Sequence, residues 1–174
     1  SVSEPREYSK KLKGLFAGGT LCDESMLMSR SAIFGDICSN VPVVGVEKIE
    51  PFEPYMNHTF IDFGDDGMTL GRAHPMIDGS IRTELVLREI SAPNTGVVIM
   101  DIILGFGAQL DPLESLRSPL KLAQERGVPV AISLIGTDAD PQGYAKIENE
   151  LKNFGVNVFD SNAQATAWAI GCLT

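Results

Sequence analysis

The chain has 174 residues, of which 44% are hydrophobic and 21% are charged, as expected of a globular domain with its own core. Fourteen basic and 23 acidic residues give a net charge of −9. This balance argues against a protein that binds nucleic acid or docks on an anionic membrane, because both functions need a basic surface. No apolar run approaches the roughly 20 residues that span a bilayer.

The cysteines and the polar start of the chain bear on its compartment. Cys22, Cys38 and Cys172 are widely spaced and odd in number, which fits neither a disulfide framework nor a zinc site. The start has no apolar segment of the kind found in signal peptides. We therefore expect a cytoplasmic protein with a polar extension over residues 1–12 and a single domain over residues 13–174.

Strand and helix patterns alternate in the first half of the chain. A strand is predicted over residues 11–17, and the Gly-Gly-Thr turn at residues 18–20 leads into a helix over residues 21–33. Residues 36–45 are apolar and contain a proline, which suits an edge strand or a break. The proline-containing segment 47–57 is predicted to be a connection.

The middle of the chain contains a third strand and a long loop. The strand is predicted over residues 58–63, and residues 64–76 form the loop. Asp78 is placed to cap a helix. The apolar stripe of that helix consists of Ile77, Ile81, Leu85, Val86 and Ile90.

The second half repeats the alternation more regularly. Strands are predicted over residues 96–103, 128–135 and 156–159, and a helix, kinked at Pro119, over residues 112–126. Asp140 followed by Pro141 predicts the start of another helix, which ends at Phe154. Ser161 is placed to cap a last helix over residues 163–172.

This alternation predicts an α/β fold in which a parallel sheet of about five strands is covered by helices on both faces. Right-handed crossovers place all strand-to-helix loops along one edge of such a sheet. The loops at Gly18, Gly105, Asp138 and Ser161 should therefore be neighbours. Ligands of open α/β sheets bind at this edge, near the topological switch point.

The first of these loops has the composition of an anion-binding turn. Gly18 and Gly19 allow close approach to the backbone, and the helix that follows directs free N–H groups outward near Thr20. A phosphate or carboxylate would suit this position. The alternative is an ordinary tight turn with Thr20 as the helix cap.

A second candidate segment is the polar stretch from Asp62 to Asp78. His74 could act as a general base or nucleophile, and Arg72 could bind a carboxylate or phosphate through two hydrogen bonds. Its aspartates could bind a hard cation, but no EF-hand spacing is present, and we predict no metal site. The alternative is a solvated loop that ends at the Asp78 cap.

Two further loops could line a substrate pocket. Gly105 and Gly107 permit close backbone approach, while Asp138 and Gln142 supply polar groups. Asp101 lies within an apolar strand, where a charge is costly unless it is paired or used in function.

Several of these motifs resemble the ligase-type domain of the succinyl-CoA synthetase α-subunit superfamily, and within it the FdrA group of acyl-CoA synthetase-like proteins. The motifs are GLFAGGTLCDE (14–24), HTFIDFGDD (58–66), GRAHPMID (71–78), LGFGAQLDP (104–112) and DPQ (140–142). The resemblance implies a flavodoxin-like fold. It also implies a Rossmann-like CoA-binding domain or partner subunit, through which CoA or a nucleotide could be used, and an oligomeric assembly.

The chain departs from the synthetases where they carry out phosphoryl transfer. Their histidine follows the fourth strand, but the matching stretch, residues 136–147, contains none, and LGFG replaces their acidic loop. The resemblance to FdrA-type proteins then implies carbamoyl transfer with carbamoyl phosphate or oxamate as ligands. Gly18, Gly19 and Thr20 would hold the anion, with Arg72 and His74 at the reacting group. A CoA ligase of the synthetase type and a non-catalytic assembly domain remain the alternatives.

Overall fold

The computed structural model describes residues 9–33, 35–50, 52, 56–71, 74 and 78–173. In this part of the chain, strands and helices alternate as predicted. The strands are β1 (Lys11–Phe16), β2 (Ile37–Ser39), β3 (Glu47–Lys48), β4 (His58–Asp62), β5 (Thr95–Ile103), β6 (Val130–Ile135) and β7 (Asn157–Phe159). The helices are α1 (Gly19–Ala32), α2 (Asp66–Thr69), α3 (Ser80–Ser91), α4 (Arg117–Arg126), α5 (Tyr144–Asn153) and α6 (Asn162–Gly171).

All strands belong to one parallel sheet with the order β3-β2-β4-β1-β5-β6-β7. The parallel α/β architecture is confirmed, but the predicted number of about five strands is too low, since the sheet has seven. The additional edge strand β3 has two residues, both polar, which pair with Cys38 and Ser39 of β2. It lies inside the segment predicted to be a connection. So short a strand has no alternation from which it could be predicted.

Helices cover both faces of the sheet. On one face, α1 and α6 pack over a core that includes Leu12 and Phe16 of β1. On the other face, α3, α4 and α5 pack over Leu15 of β1 and over Val98 and Met100 of β5. Alternate residues of the central strands therefore enter two different cores, which explains their nearly continuous apolar sequences.

Two helices begin later than predicted. The helix α4 begins at Arg117 rather than Pro112, so Pro119 lies in the first turn, where a missing N–H costs no hydrogen bond. The helix α5 begins after Gly143, which has a φ of 75°. Asp140 is not its cap, because the carboxylate accepts from the Thr137 amide at 2.7 Å within the preceding turn.

The aspartates of the loop before α3 serve the local backbone. The Asp65 carboxylate accepts from the Gly67 amide at 3.0 Å and caps α2, within the segment predicted to be all loop. Asp78 accepts from the Ser80 amide at 3.0 Å, but the cap residue of α3 is Gly79, so the prediction that Asp78 is the cap is wrong by one residue.

The topology fixes the position of a ligand crevice. From β1 the chain enters α1 on one face of the sheet, whereas from the neighbouring strands β4 and β5 it continues to α3 and α4 on the opposite face. The carboxyl end of β1 is therefore the topological switch point, where ligands of open α/β sheets bind.

His58 is a fully buried residue at the start of β4. Its Nδ1 accepts from the Leu12 amide at 3.0 Å. Burial, with Lys11 and Lys13 nearby, lowers the pKa of His58 to about 4. The folded protein therefore resists protonation of this imidazole.

We expect His58 to make stability depend on pH. Between pH 6.5 and about 4 the unfolded chain binds a proton at His58 that the folded chain does not bind, so the free energy of unfolding falls as the pH falls. The total loss across this window should be about 3 kcal/mol. Urea unfolding at several pH values measures it.

The variant His58→Asn provides the control, because its amide oxygen can still accept from the Leu12 amide but does not titrate. Carboxyl groups that titrate nearby affect both proteins equally, so the difference between the two pH profiles isolates His58. Parallel profiles from pH 7 to 4 would contradict the assignment.

Candidate functional site

The amides at the carboxyl end of β1 are bound by a carboxylate of the neighbouring strand. The Ala17 and Gly18 amides donate to the two Asp101 oxygens, each at 2.7 Å. A Cβ on Gly18 would lie 3.0 Å from Asp101 Oδ2, so a larger residue would crowd this contact. Part of the predicted anion-binding turn thus already holds an internal anion.

Asp101 is paired as its position requires. Arg82 of α3 approaches it at 3.0 Å, and both side chains are buried. The same Arg82 nitrogen donates to the carbonyl oxygens of Leu15 and Asp101, each at 2.8 Å. The expectation that Asp101 must be paired or used is confirmed.

Sequence reasoning missed Arg82, although a signal was present. Arg82 precedes Leu85 by three residues and Val86 by four, and it therefore lies on the buried side of α3. Burial lowers the pKa of the Arg82 guanidinium, and the adjacent Asp101 offsets part of that effect. A basic residue on an apolar helix face can indicate a buried partner.

The start of α1 offers the remaining backbone donors. The helix begins at Gly19 after the cap residue Gly18, two residues earlier than predicted, so Thr20 is a helical residue rather than the cap. No acceptor for the Gly19 or Thr20 amide is found in the described part of the chain. The binding of an anion there stays a prediction, with Gly19 and Thr20 as its donors.

A carboxylate and an imidazole lie beside this helix start. A Cβ on Gly19 would lie 2.8 Å from Asp62 Oδ2. A Cβ on Gly64 would lie 2.7 Å from His74 Nε2, 3.2 Å from Asp62 Oδ1 and 3.0 Å from the Ala17 carbonyl oxygen. Glycine at both positions therefore lets His74 and Asp62 approach the end of β1.

Asp62 is held firmly at the end of β4. Its Oδ1 accepts from the Gly64 amide at 2.8 Å. The Asn40 side chain donates to the Asp62 carbonyl oxygen and accepts from the Asp62 amide, each at 2.9 Å. Burial raises the pKa of Asp62, the nearby carboxylates add to this, and the Gly64 hydrogen bond opposes it. An imidazole flanking the same glycine as this carboxylate is suited to proton transfer.

The predicted catalytic pair is only partly described. His74 is half-buried and reaches the carboxyl edge of the sheet, where its backbone oxygen accepts from the Asp78 amide at 3.0 Å. Arg72 lies outside the described residues, and its role stays a prediction.

The other predicted pocket residues fall into two groups further along the same edge. The Gln142 side chain accepts from the Gly105 amide at 3.1 Å and donates to the Gly105 carbonyl oxygen at 2.8 Å. These two residues are therefore in contact, and both ends of the Gln142 side-chain amide are hydrogen-bonded to the loop after β5. Gly107 is exposed on that loop. Asp138 lines a separate cleft of about 340 Å³ with Tyr144 and Asp160, and its carboxylate accepts from the Ala145 amide at 2.9 Å.

Within the described ranges, no group of three or more histidine, cysteine or acidic side chains is arranged to hold a metal ion. None of the helices in the described part of the chain has the length and apolar character needed to cross a membrane.

Comparison with known proteins identifies the family. The model of the family described as CoA-ligase matches residues 15–171. The uncharacterized protein YahF of Escherichia coli (strain K12) is 35% identical to the chain over an alignment of 159 residues, which covers 88% of this chain and 31% of YahF. The chain thus spans less than a third of the length of that relative. On the family match and this identity, the chain belongs to the CoA-ligase family.

Proposed function

We propose that this CoA-ligase domain is part of an FdrA-type enzyme that transfers an acyl or carbamoyl group, with a substrate of the carbamoyl phosphate or oxamate class. The main support is the position of His74 beside Gly64 and Asp62, next to the start of α1. An unpaired helix start and a proton-transfer group are thereby neighbours at the switch point.

The start of α1 suits the phosphate of such a substrate. The Gly19 and Thr20 amides offer two donors, and the positive end of the dipole of a 14-residue helix favours a negative charge. The Asp101 carboxylate nearby is balanced by Arg82, so it does not present an uncompensated charge to the ligand.

His74 would assist the transfer as a general acid or as a donor to the reacting carbonyl. Carbamoyl transfer requires stabilisation of the charge that develops on the carbonyl oxygen and needs no covalent histidine. This agrees with the sequence, because the 136–147 segment has no histidine where the synthetases carry theirs.

A Rossmann-like CoA-binding domain or partner subunit would complete the enzyme and supply CoA or a nucleotide if one is used. The length of YahF, of which this chain covers 31%, supports the presence of further domains beside one of this type. The acidic net charge of −9 makes a small molecule the better ligand class than a nucleic acid.

Calorimetric titration with carbamoyl phosphate, inorganic phosphate and oxamate tests this proposal. The substitution Gly19→Ala would bring a Cβ to 2.8 Å from Asp62 Oδ2 and disturb the helix start. We expect it to weaken binding by about tenfold or more, which is about 1.4 kcal/mol.

The matched control is Gly171→Ala, because a Cβ at that position of α6 meets nothing within 4 Å. It should leave the affinity unchanged. If the wild-type chain binds none of the three anions, or if Gly19→Ala binds them as tightly, the proposal is wrong.

A second candidate is a nucleotide-dependent acyl-CoA ligase in which His74 accepts the phosphoryl group. The family match and the place of His74 at the carboxyl edge favour it. In this reaction the γ-phosphoryl group of ATP would form a bond to the imidazole nitrogen, and ADP would leave. Labelled ATP should then give an acid-labile label that His74→Asn lacks, and an unlabelled wild-type chain excludes this candidate.

A further inference from the structure

A small cavity lies on the α3 and α4 side of the switch point. Its volume is about 30 Å³, compared with the roughly 10–15 Å³ that one water molecule requires. Its lining includes Ala17, Arg82, Ile102, Ala108, Pro112 and Ser115. It therefore has room for one or two oxygen-sized groups.

Arg82, one of the residues that line this cavity, has an incompletely bonded guanidinium. Three hydrogen bonds, to Leu15 and Asp101, all use one terminal nitrogen of Arg82. The Nε of Arg82 is buried and finds no partner among the described residues, although the residue is only 6% exposed. A buried donor left unpaired destabilises the folded state, and the effect is larger in a charged group.

The lining favours an oxygen acceptor as the missing partner. In the described part of the chain, Arg82 is the one charged residue among those that line the cavity, and most of the others are apolar. No lining carboxylate competes for the guanidinium, in contrast to the start of α1, where Asp62 lies close to Gly19.

The cavity adjoins the proposed anion site along the chain. Ala17 lines the cavity, and the next residue, Gly18, is the cap of α1. A ligand that reaches both places would have one end at the Gly19 and Thr20 amides and the other end in the cavity.

We propose that Arg82 is a substrate-binding residue whose guanidinium donates to a carboxylate or carbonyl oxygen in this cavity. The inference rests on the proposed function and deepens it, since it assigns a substrate with two acceptor ends. One end is the phosphate or carboxylate at the start of α1, and the other is the oxygen that Arg82 receives.

The test is nuclear magnetic resonance of the Arg82 Nε–H group in the ¹⁵N-labelled chain, assigned by the loss of its signal in Arg82→Lys. Formate and oxamate are the probes, because formate is small enough to enter the cavity alone. We expect a saturable shift of the Arg82 signal with each, at dissociation constants of about millimolar.

Two alanine-to-valine substitutions distinguish ligand binding in the cavity from ligand binding elsewhere along this edge of the sheet. Ala108→Val fills the cavity while leaving the Arg82–Asp101 pair in place, and it should abolish the shift. Ala139→Val, on the exposed loop after β6, adds the same two methyl groups and should leave the shift unchanged.

The outcomes distinguish this proposal from the proposed function. If carbamoyl phosphate shifts the Gly19 and Thr20 amides while no probe moves the Arg82 signal, the cavity holds water only, and this inference is overturned alone. It is also overturned if Ala108→Val retains the full shift. A formate response at Arg82 without any response of Gly19 and Thr20 to carbamoyl phosphate supports the cavity and counts against the proposed function.

Discussion

Arg82→Met is expected to lower the free energy of unfolding by about 3–5 kcal/mol, because it leaves the Asp101 carboxylate buried without its cation. Asp101 is fully buried and Arg82 is 6% exposed, so the carboxylate would lose its cation in a site that is shielded from bulk solvent. Methionine keeps most of the aliphatic length of the side chain, which limits any effect of lost packing. Denaturant unfolding of wild type and variant measures the difference.

The control for this prediction is Arg126→Ala, which removes an exposed arginine that donates to the Ser91 carbonyl at 3.2 Å. It should change stability by no more than about 0.5 kcal/mol. The double variant Arg82→Met, Asp101→Asn should be less destabilised than the sum of its single variants, because neither charge then remains buried. An Arg82→Met protein as stable as the wild type would show that the buried pair is not what holds the end of β1.

His74→Asn is expected to reduce carbamoyl transfer by about 10²–10⁴-fold in the enzyme that contains this domain, because asparagine cannot transfer a proton near neutral pH. The loss should appear in kcat, while the affinity for carbamoyl phosphate stays close to that of wild type, since Gly19 and Thr20 are unchanged. Steady-state kinetics with carbamoyl phosphate and oxamate measure both quantities.

The other histidine provides the comparison. His58 lies at the opposite end of β4 from Asp62, and His58→Asn should leave kcat within about twofold of wild type at pH 7, where the buried imidazole is neutral. Equal loss in both variants would indicate a general structural effect. Full activity of Arg72→Ala, His74→Ala would instead favour the assembly role.

The fold was predictable from the sequence because its central strands are buried on both faces. The apolar run of β5, for example, alternates between the two cores, as expected of a parallel strand that is covered on both faces. The edge strand β3 and the start of α5 were not predictable. The first depends on pairing with β2, and the second on the backbone conformation of Gly143, and neither leaves a periodic signal.

The candidate site was predictable at the level of loops but not of side-chain contacts. The topology brings Gly19 and Gly105 to the ends of the neighbouring strands β1 and β5, as expected. The pairing of Asp101 with Arg82, 19 residues away, and the approach of His74 to Gly64 depend on how α3 and its preceding loop pack against the sheet. The sequence of α3 indicates that Arg82 has a buried partner, but no local pattern identifies Asp101 as that partner or brings His74 to Gly64.

The central claim is that a small anion binds at the start of α1. A crystal of this chain soaked with carbamoyl phosphate tests it most directly. We predict phosphate density within hydrogen-bond distance of the Gly19 and Thr20 amides, on the side of the helix start that faces His74. A well-ordered ligand elsewhere, or an empty helix start at a saturating ligand concentration, would contradict the account.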